Sequence, residues 1–128
     1  MPYEYLATFE SAYDGDTITV LLDLGFGDFK RCKLRMRGYD SPEMKDKDPD
    51  VRARAVEARG AITFMLSGRG TNALRVVTRR TSKSNSTDAA DVYGRYVADV
   101  YVAGFGGLNF HVNAWMVEQA HGVPFMTD

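Results

Sequence analysis

The chain has 128 residues, a formal net charge of −1, 45% hydrophobic residues and 26% charged residues. These values are typical of a globular protein, and the length predicts one domain over residues 1–128 that buries its own core. A net charge near zero excludes bulk attraction to nucleic acid, so any such affinity must come from a local basic patch. The single cysteine, Cys32, excludes an internal disulfide.

Nothing in the sequence is typical of secretion or of a membrane anchor. The first residues, MPYEYLATFE, lack the basic segment and apolar core of a signal peptide. No apolar run approaches the roughly 20 residues that span a bilayer. We therefore expect a cytoplasmic protein with no membrane partner.

Alternating residues predict three strands near the start of the chain. Two of them flank an Asp-Gly turn in ATFESAYDGDTITVLLDLG, and the third is FGDFKRCKLRMRG. In the third strand, Cys32, Leu34 and Met36 share one face. The opposite face carries Arg31, Lys33, Arg35 and Arg37. Such a basic stripe, taken alone, is typical of a solvated strand face.

A helix is predicted after these strands. Asp48 can cap it, Pro49 suits its first turn, apolar residues recur at helical spacing, and Gly68 follows its end. Two further strands, ALRVVTR and YGRYVADVYV, are separated by the polar loop RTSKSNSTDAAD.

A second helix is predicted from the spacing of Val112, Met116 and Ala120, after a Gly-rich turn at 104–107. The resulting order is β-β-β-α-β-β-α. It favours an α+β, mainly β fold: a five-stranded OB-type barrel with two helices.

Two turns carry acidic side chains. YDGDT contains Asp14 and Asp16, and YDSPE contains Asp40 and Glu43. If the first three strands form a meander, both turns lie at the same end of the sheet. Hard divalent cations take carboxylate oxygens from different segments, and a cation or nearby arginine would offset the repulsion between acids.

Taken singly, both turns have ordinary structural explanations. The first is common in hairpins, and the second is common at the start of a helix, with Ser41 as the cap. Together with Arg35 and with Arg95 in YGR, they match what phosphoryl transfer requires. That reaction needs a metal, bidentate donors for phosphate oxygens, and a carboxylate that acts on water.

The motifs DGDT, RMRGYDSPE, YGR and VNAWMVEQ resemble, in this order, those of the staphylococcal nuclease (thermonuclease) family. The resemblance extends over about residues 5–123. It implies a distorted OB barrel that binds calcium and hydrolyses phosphodiester bonds in DNA and RNA. By motif position, Asp16 and Asp40 would be calcium ligands, with the backbone carbonyl of Ser41 as a third.

The resemblance also implies roles in catalysis and substrate binding. Glu43 would be the general base, and Arg35 and Arg95 would hold the scissile phosphate and stabilise charge in the transition state. Asp14 would position the metal ligands without binding the metal itself, and Tyr93 would line the nucleotide pocket.

The chain departs from the family at several positions. Val92 stands where well-known members have a lysine, and Phe125 is the only aromatic residue of the tail that could replace their base-flanking tyrosines. We expect no third, C-terminal helix. The longer loop before YGR offers substitute phosphate contacts at Arg79, Arg80 and Lys83.

The sequence therefore predicts a calcium-dependent endonuclease that cleaves DNA or RNA with little dependence on nucleotide sequence and prefers single strands. We expect it to act as a monomer without an obligate protein partner. The alternative is a non-catalytic module on the same fold that binds nucleic acid or protein. Such modules typically lose the acids and arginines named above, whereas all of them are present here.

Overall fold

A computed structural model of the chain describes residues 3–79 and 96–124. In chain order, the elements are β1 (Tyr3–Asp14), β2 (Thr17–Gly25), β3 (Asp28–Met36), β4 (Tyr39–Asp40), α1 (Pro49–Leu66), β5 (Leu74–Arg79), β6 (Tyr96–Gly104), β7 (Gly107–His111), α2 (Val112–Glu118) and β8 (Val123–Pro124). The fold is α+β and mainly β, as predicted. Among the described residues, no helix has the length and apolar character needed to cross a membrane.

Five strands close into a mixed barrel. The sheet order is β3-β2-β1-β5-β6-β7, and a parallel pairing of β3 with β6 closes the ring at Leu34 beside Tyr96. The other pairings along this sheet are antiparallel. This closed barrel with two helices confirms the predicted OB-type fold.

The predicted element order is incomplete. Three short strands, β4, β7 and β8, are added to it: β7 extends the sheet beyond β6, and β4 pairs with β8 in a separate ribbon. Two-residue strands such as β4 and β8 are too short to produce an alternating pattern. The prediction that Ala120 belongs to the second helix is wrong, because α2 ends at Glu118 and Ala120 has a positive φ of 60°.

The core lies inside the barrel and under α1. Inward-facing residues of β3 and β6 include Cys32, Leu34, Met36, Ala98, Val100 and Val102. Tyr39 is also fully buried, and its hydroxyl donates to the carbonyl of Gly15 at 2.6 Å. Burial raises the pKa of Tyr39 well above its ordinary value. The buried phenol therefore remains protonated and ties β4 to the β1–β2 turn.

Helix α1 begins and ends close to the predicted residues. The side chain of Asp48 accepts from the backbone N–H of Asp50 at 2.9 Å, and Pro49 follows the cap. The helix ends at Leu66, before Gly68, where the backbone adopts a positive φ of 73°. Its inward-facing residues are Ala55, Ala58, Ile62 and Leu66.

Helix α1 packs closely over the turn that carries the first acidic pair. A Cβ atom added at Gly15 would lie 2.7 Å from Cβ of Ala58 and 2.8 Å from Cβ of Ser41. At Gly60, within α1, nothing lies within 4 Å of the corresponding atom. The two glycines therefore form a matched pair for substitution.

We predict that Gly15→Ala lowers the free energy of unfolding by about 1–3 kcal/mol, because the added methyl group overpacks the contact. Gly60→Ala should instead raise it by up to about 1 kcal/mol, because alanine is the better helix former. Urea denaturation of both variants and the wild type measures these changes. A Gly15→Ala protein as stable as the wild type would mean that the turn does not pack against α1 and Ser41.

Candidate functional site

Two acidic turns meet at one end of the barrel. Strands β1, β2 and β3 form an antiparallel meander, which places the β1–β2 turn beside the segment after β3. The backbone N–H of Ser41 donates to Oδ2 of Asp16 at 3.0 Å. The backbone N–H of Met36 also donates to the carbonyl of Asp16, at 2.8 Å. The structure thus brings together the two acidic turns expected to converge.

Arg35 lies between these turns and is only 7% exposed. Its Nη1 donates to the carbonyls of Met36 at 3.0 Å and Tyr39 at 2.7 Å. The same nitrogen lies 3.3 Å from Oδ2 of Asp16, and Nη2 contacts Oδ1 of Asp40. One guanidinium therefore links both acidic turns.

Arg35 departs from the solvated face that a basic stripe on a strand usually forms. Arg31 and Lys33 are exposed, but Arg35 is buried. Burying a cation is costly unless acceptors and opposite charges surround it, and here two carbonyls and two carboxylates do so.

The contacts of Arg35 leave part of its guanidinium available. The group carries five N–H donors in a planar fork. Within the described residues, no acceptor contacts its Nε, and Nη2 contacts only Asp40. The edge formed by Nε and Nη2 is the one that binds a phosphate in bidentate fashion.

Asp14 and Glu43 add two further carboxyl groups at this end of the barrel. Asp14 is buried, and its Oδ1 accepts from the backbone N–H of Asp16 at 3.1 Å. Burial first, and then the carboxylates of Asp16 and Glu43, raise the pKa of Asp14 to about 7. Glu43 is exposed, and within the described part of the chain its carboxylate has no hydrogen-bond partner. A bound cation would relieve the repulsion among these acids.

The predicted calcium ligands form a partial set. Asp16 and Asp40 come from different segments and share Arg35, and their oxygen donors suit a hard cation. Over residues 3–79 and 96–124, however, no three His, Cys, Asp or Glu side chains form a group that could hold a metal. With the Ser41 carbonyl, the two carboxylates fit a calcium site only if water or phosphate oxygens complete it.

Arg79 belongs to a second charged cluster, centred on Asp99, which is 2% exposed. Nε of Arg79 donates to Oδ2 of Asp99 at 2.7 Å, and Nε2 of His111 lies 2.8 Å from Oδ1. Nη1 of Arg37 lies 3.7 Å from Oδ2. A protein carboxylate thus already pairs with Arg79, and its phosphate contact stays a prediction.

Sequence reasoning missed this cluster. Asp99 interrupts an otherwise apolar strand, and an acidic residue at such a position indicates a buried charge that must be paired. This interruption could have predicted a buried, paired Asp99. Its partners on β5 and β7 could not be predicted, because they depend on how the strands pair.

Several predicted site residues lie outside the described residues. They are Arg80, Lys83, Tyr93, Arg95 and Phe125, together with Val92. Their proposed contacts with phosphate and base stay predictions.

A comparison with protein-family models found no match, and neither did a comparison with curated proteins. The resemblance to the staphylococcal nuclease family therefore rests on the four sequence motifs.

The charges around Asp99 predict how stability depends on pH. Burial opposes ionisation of Asp99, but the bonds from His111 and Arg79 and the charge of Arg37 outweigh it and lower its pKa. A carboxyl whose pKa is lower in the folded state stabilises the protein above its unfolded pKa of about 3.9. That contribution is lost as the pH falls through the folded pKa.

We predict that Asp99→Asn costs about 1–3 kcal/mol at neutral pH, and that the difference from the wild type shrinks below about pH 4. Urea denaturation over a series of pH values measures this, with Asp28→Asn at an exposed position of β3 as the control. An Asp99→Asn penalty that is the same at neutral and acidic pH would show that ionised Asp99 does not stabilise the fold.

Proposed function

We propose that this protein is a calcium-dependent nuclease that hydrolyses phosphodiester bonds in single-stranded DNA or RNA with little sequence preference. The observation that supports this most strongly is the buried Arg35, which lies between the carboxylates of Asp16 and Asp40 and whose Nε has no acceptor among the described residues. Phosphoryl transfer is catalysed mainly by positioning and by fixed charges, which this arrangement supplies.

The carboxylates of Asp16 and Asp40 and the carbonyl of Ser41 would hold the cation. When bound, calcium would supply Lewis-acid polarisation of a phosphate oxygen and lower the pKa of a bound water. Asp14 keeps the β1–β2 turn in place by accepting the N–H of Asp16.

Arg35 would bind the scissile phosphate through two parallel N–H donors. Its Nη1 is fixed by the carbonyls of Met36 and Tyr39, so the guanidinium does not have to be reoriented as charge develops on the phosphate. Arg95 is proposed as a second donor to the same phosphate.

Glu43 would act as the general base. Its exposed carboxylate would take a proton from the attacking water, whose oxygen bonds to phosphorus while the alkoxide leaving group departs. The charge of Glu43 contributes to the raised pKa of Asp14, and this interaction with the acidic turn supports the proposed role. A cytoplasmic monomer without a protein partner remains part of this proposal.

We predict that Glu43→Gln lowers turnover of single-stranded DNA by roughly 10²–10⁴-fold, the range usual for loss of a general base. Binding of the oligonucleotide without metal should change little, because the Glu43 carboxylate makes no hydrogen bond or ion pair with the described residues. Glu57→Gln, at an exposed position of α1, is the matched control and should keep wild-type turnover. Cleavage is measured in calcium and in excess EDTA.

The outcomes of this experiment are separable. Full wild-type activity in EDTA would contradict the role of the metal, and wild-type turnover of Glu43→Gln would contradict the role of the base. A folded wild-type protein that binds single strands but never cleaves them would favour the non-catalytic binding module instead.

A further inference from the structure

An open groove of about 410 Å³ runs along the side of the barrel. It is lined by Thr19, Lys30, Arg31, Cys32, Lys33 and Tyr96. These residues come from β2, β3 and the start of β6. None of them was predicted to be a site residue, and none has a role in the mechanism above.

The groove adjoins the proposed phosphate site. In the β2–β3 ladder, Thr17 pairs with Arg35 and Thr19 pairs with Lys33. Lys33 and Arg35 are therefore two positions apart on the same face of β3, with their Cα atoms about 7 Å apart. A polymer whose phosphate reaches Arg35 would extend into the groove along this strand.

Lys33 gives the groove positive charge that none of the described residues neutralises. Arg31 is paired with Glu10, with Nη2 at 2.8 Å from Oε2. Lys33 is exposed and, among the residues that the structure describes, its ammonium makes no hydrogen bond or ion pair. In a chain of net charge −1, this is the local basic surface that nucleic-acid affinity requires.

Tyr96 adds a flat aromatic surface to the same groove. Its ring is half-buried against the core, and its hydroxyl accepts from Nζ of Lys30 at 3.0 Å. The Lys30 ammonium lies over the ring, 4.9 Å from its centroid, so a stacked base would take the place of this cation–π contact. Lysines beside an anchored aromatic ring are the combination that binds single-stranded nucleic acid, because cations bind phosphates and the ring stacks on a base.

We propose that this groove binds the segment of single-stranded polynucleotide adjacent to the scissile phosphate. Lys33 contacts the neighbouring phosphate, and Tyr96 stacks on a base. This inference rests on the proposed function, which puts the scissile phosphate at Arg35. An acidic peptide would satisfy Lys33 but would make no use of the ring of Tyr96.

The test measures binding separately from cleavage. A fluorescent single-stranded oligonucleotide of about 16 nucleotides is titrated in EDTA, at several salt concentrations, and followed by anisotropy. Lys33→Ala should weaken binding roughly two- to fivefold and reduce the slope of log K against log salt by about 0.7. Arg54→Ala removes one positive charge from an exposed position of α1 and should change neither.

The aromatic contact is tested in the same assay. Tyr96→Leu should weaken binding by roughly tenfold, whereas Tyr96→Phe, which keeps the ring, should bind within about twofold of the wild type. Thermal denaturation of each variant establishes that it is folded. If Tyr96→Phe loses as much affinity as Tyr96→Leu, the hydroxyl contact with Lys30 matters rather than stacking, and the proposal is overturned.

Other outcomes also decide the proposal. Unchanged binding by Lys33→Ala and Tyr96→Leu would place the polynucleotide elsewhere, even if calcium-dependent cleavage is observed. Competition by polyglutamate as effective as that by unlabelled oligonucleotide would also overturn it, because it would show that only charge is recognised. Loss of affinity in both variants without any cleavage would support the groove and contradict the nuclease.

Discussion

The candidate site depends on the burial of one guanidinium. Arg35 is surrounded by the carbonyls of Met36 and Tyr39 and by the carboxylates of Asp16 and Asp40. Without the guanidinium of Arg35 the two carboxylates would repel each other. Without these acceptors the guanidinium would be too costly to bury. This mutual dependence explains why the sequence places basic and acidic residues in close succession around the end of β3.

The barrel supplies the geometry for this interaction. The β1-β2-β3 meander places Asp16 opposite the end of β3, and the bond from Tyr39 to the carbonyl of Gly15 holds the two turns together. Closure of the barrel by β3 and β6 brings Tyr96 beside Leu34, and so places an aromatic ring near Lys33. The same strand thus carries the proposed phosphate donor and one wall of the groove.

Local patterns predicted much of the fold. The caps of α1, the Asp-Gly turn and the alternation of Cys32, Leu34 and Met36 depend on nearest neighbours, which a sequence displays. Burial of Arg35 was not predictable from alternation, because it depends on carbonyls and carboxylates that other segments bring to it. Pairing of Asp99 with residues of β5, of β7 and of the turn after β3 is non-local for the same reason.

The coupling between Arg35 and Asp16 tests the central claim most directly. In a double-mutant cycle of Arg35→Gln and Asp16→Asn, urea denaturation should give a coupling energy of about 1–3 kcal/mol. The exposed pair Arg31 and Glu10, treated in the same way, should give a clearly smaller value. Additive effects of Arg35→Gln and Asp16→Asn would contradict the account, because they would show that the guanidinium and the acidic turn are energetically independent.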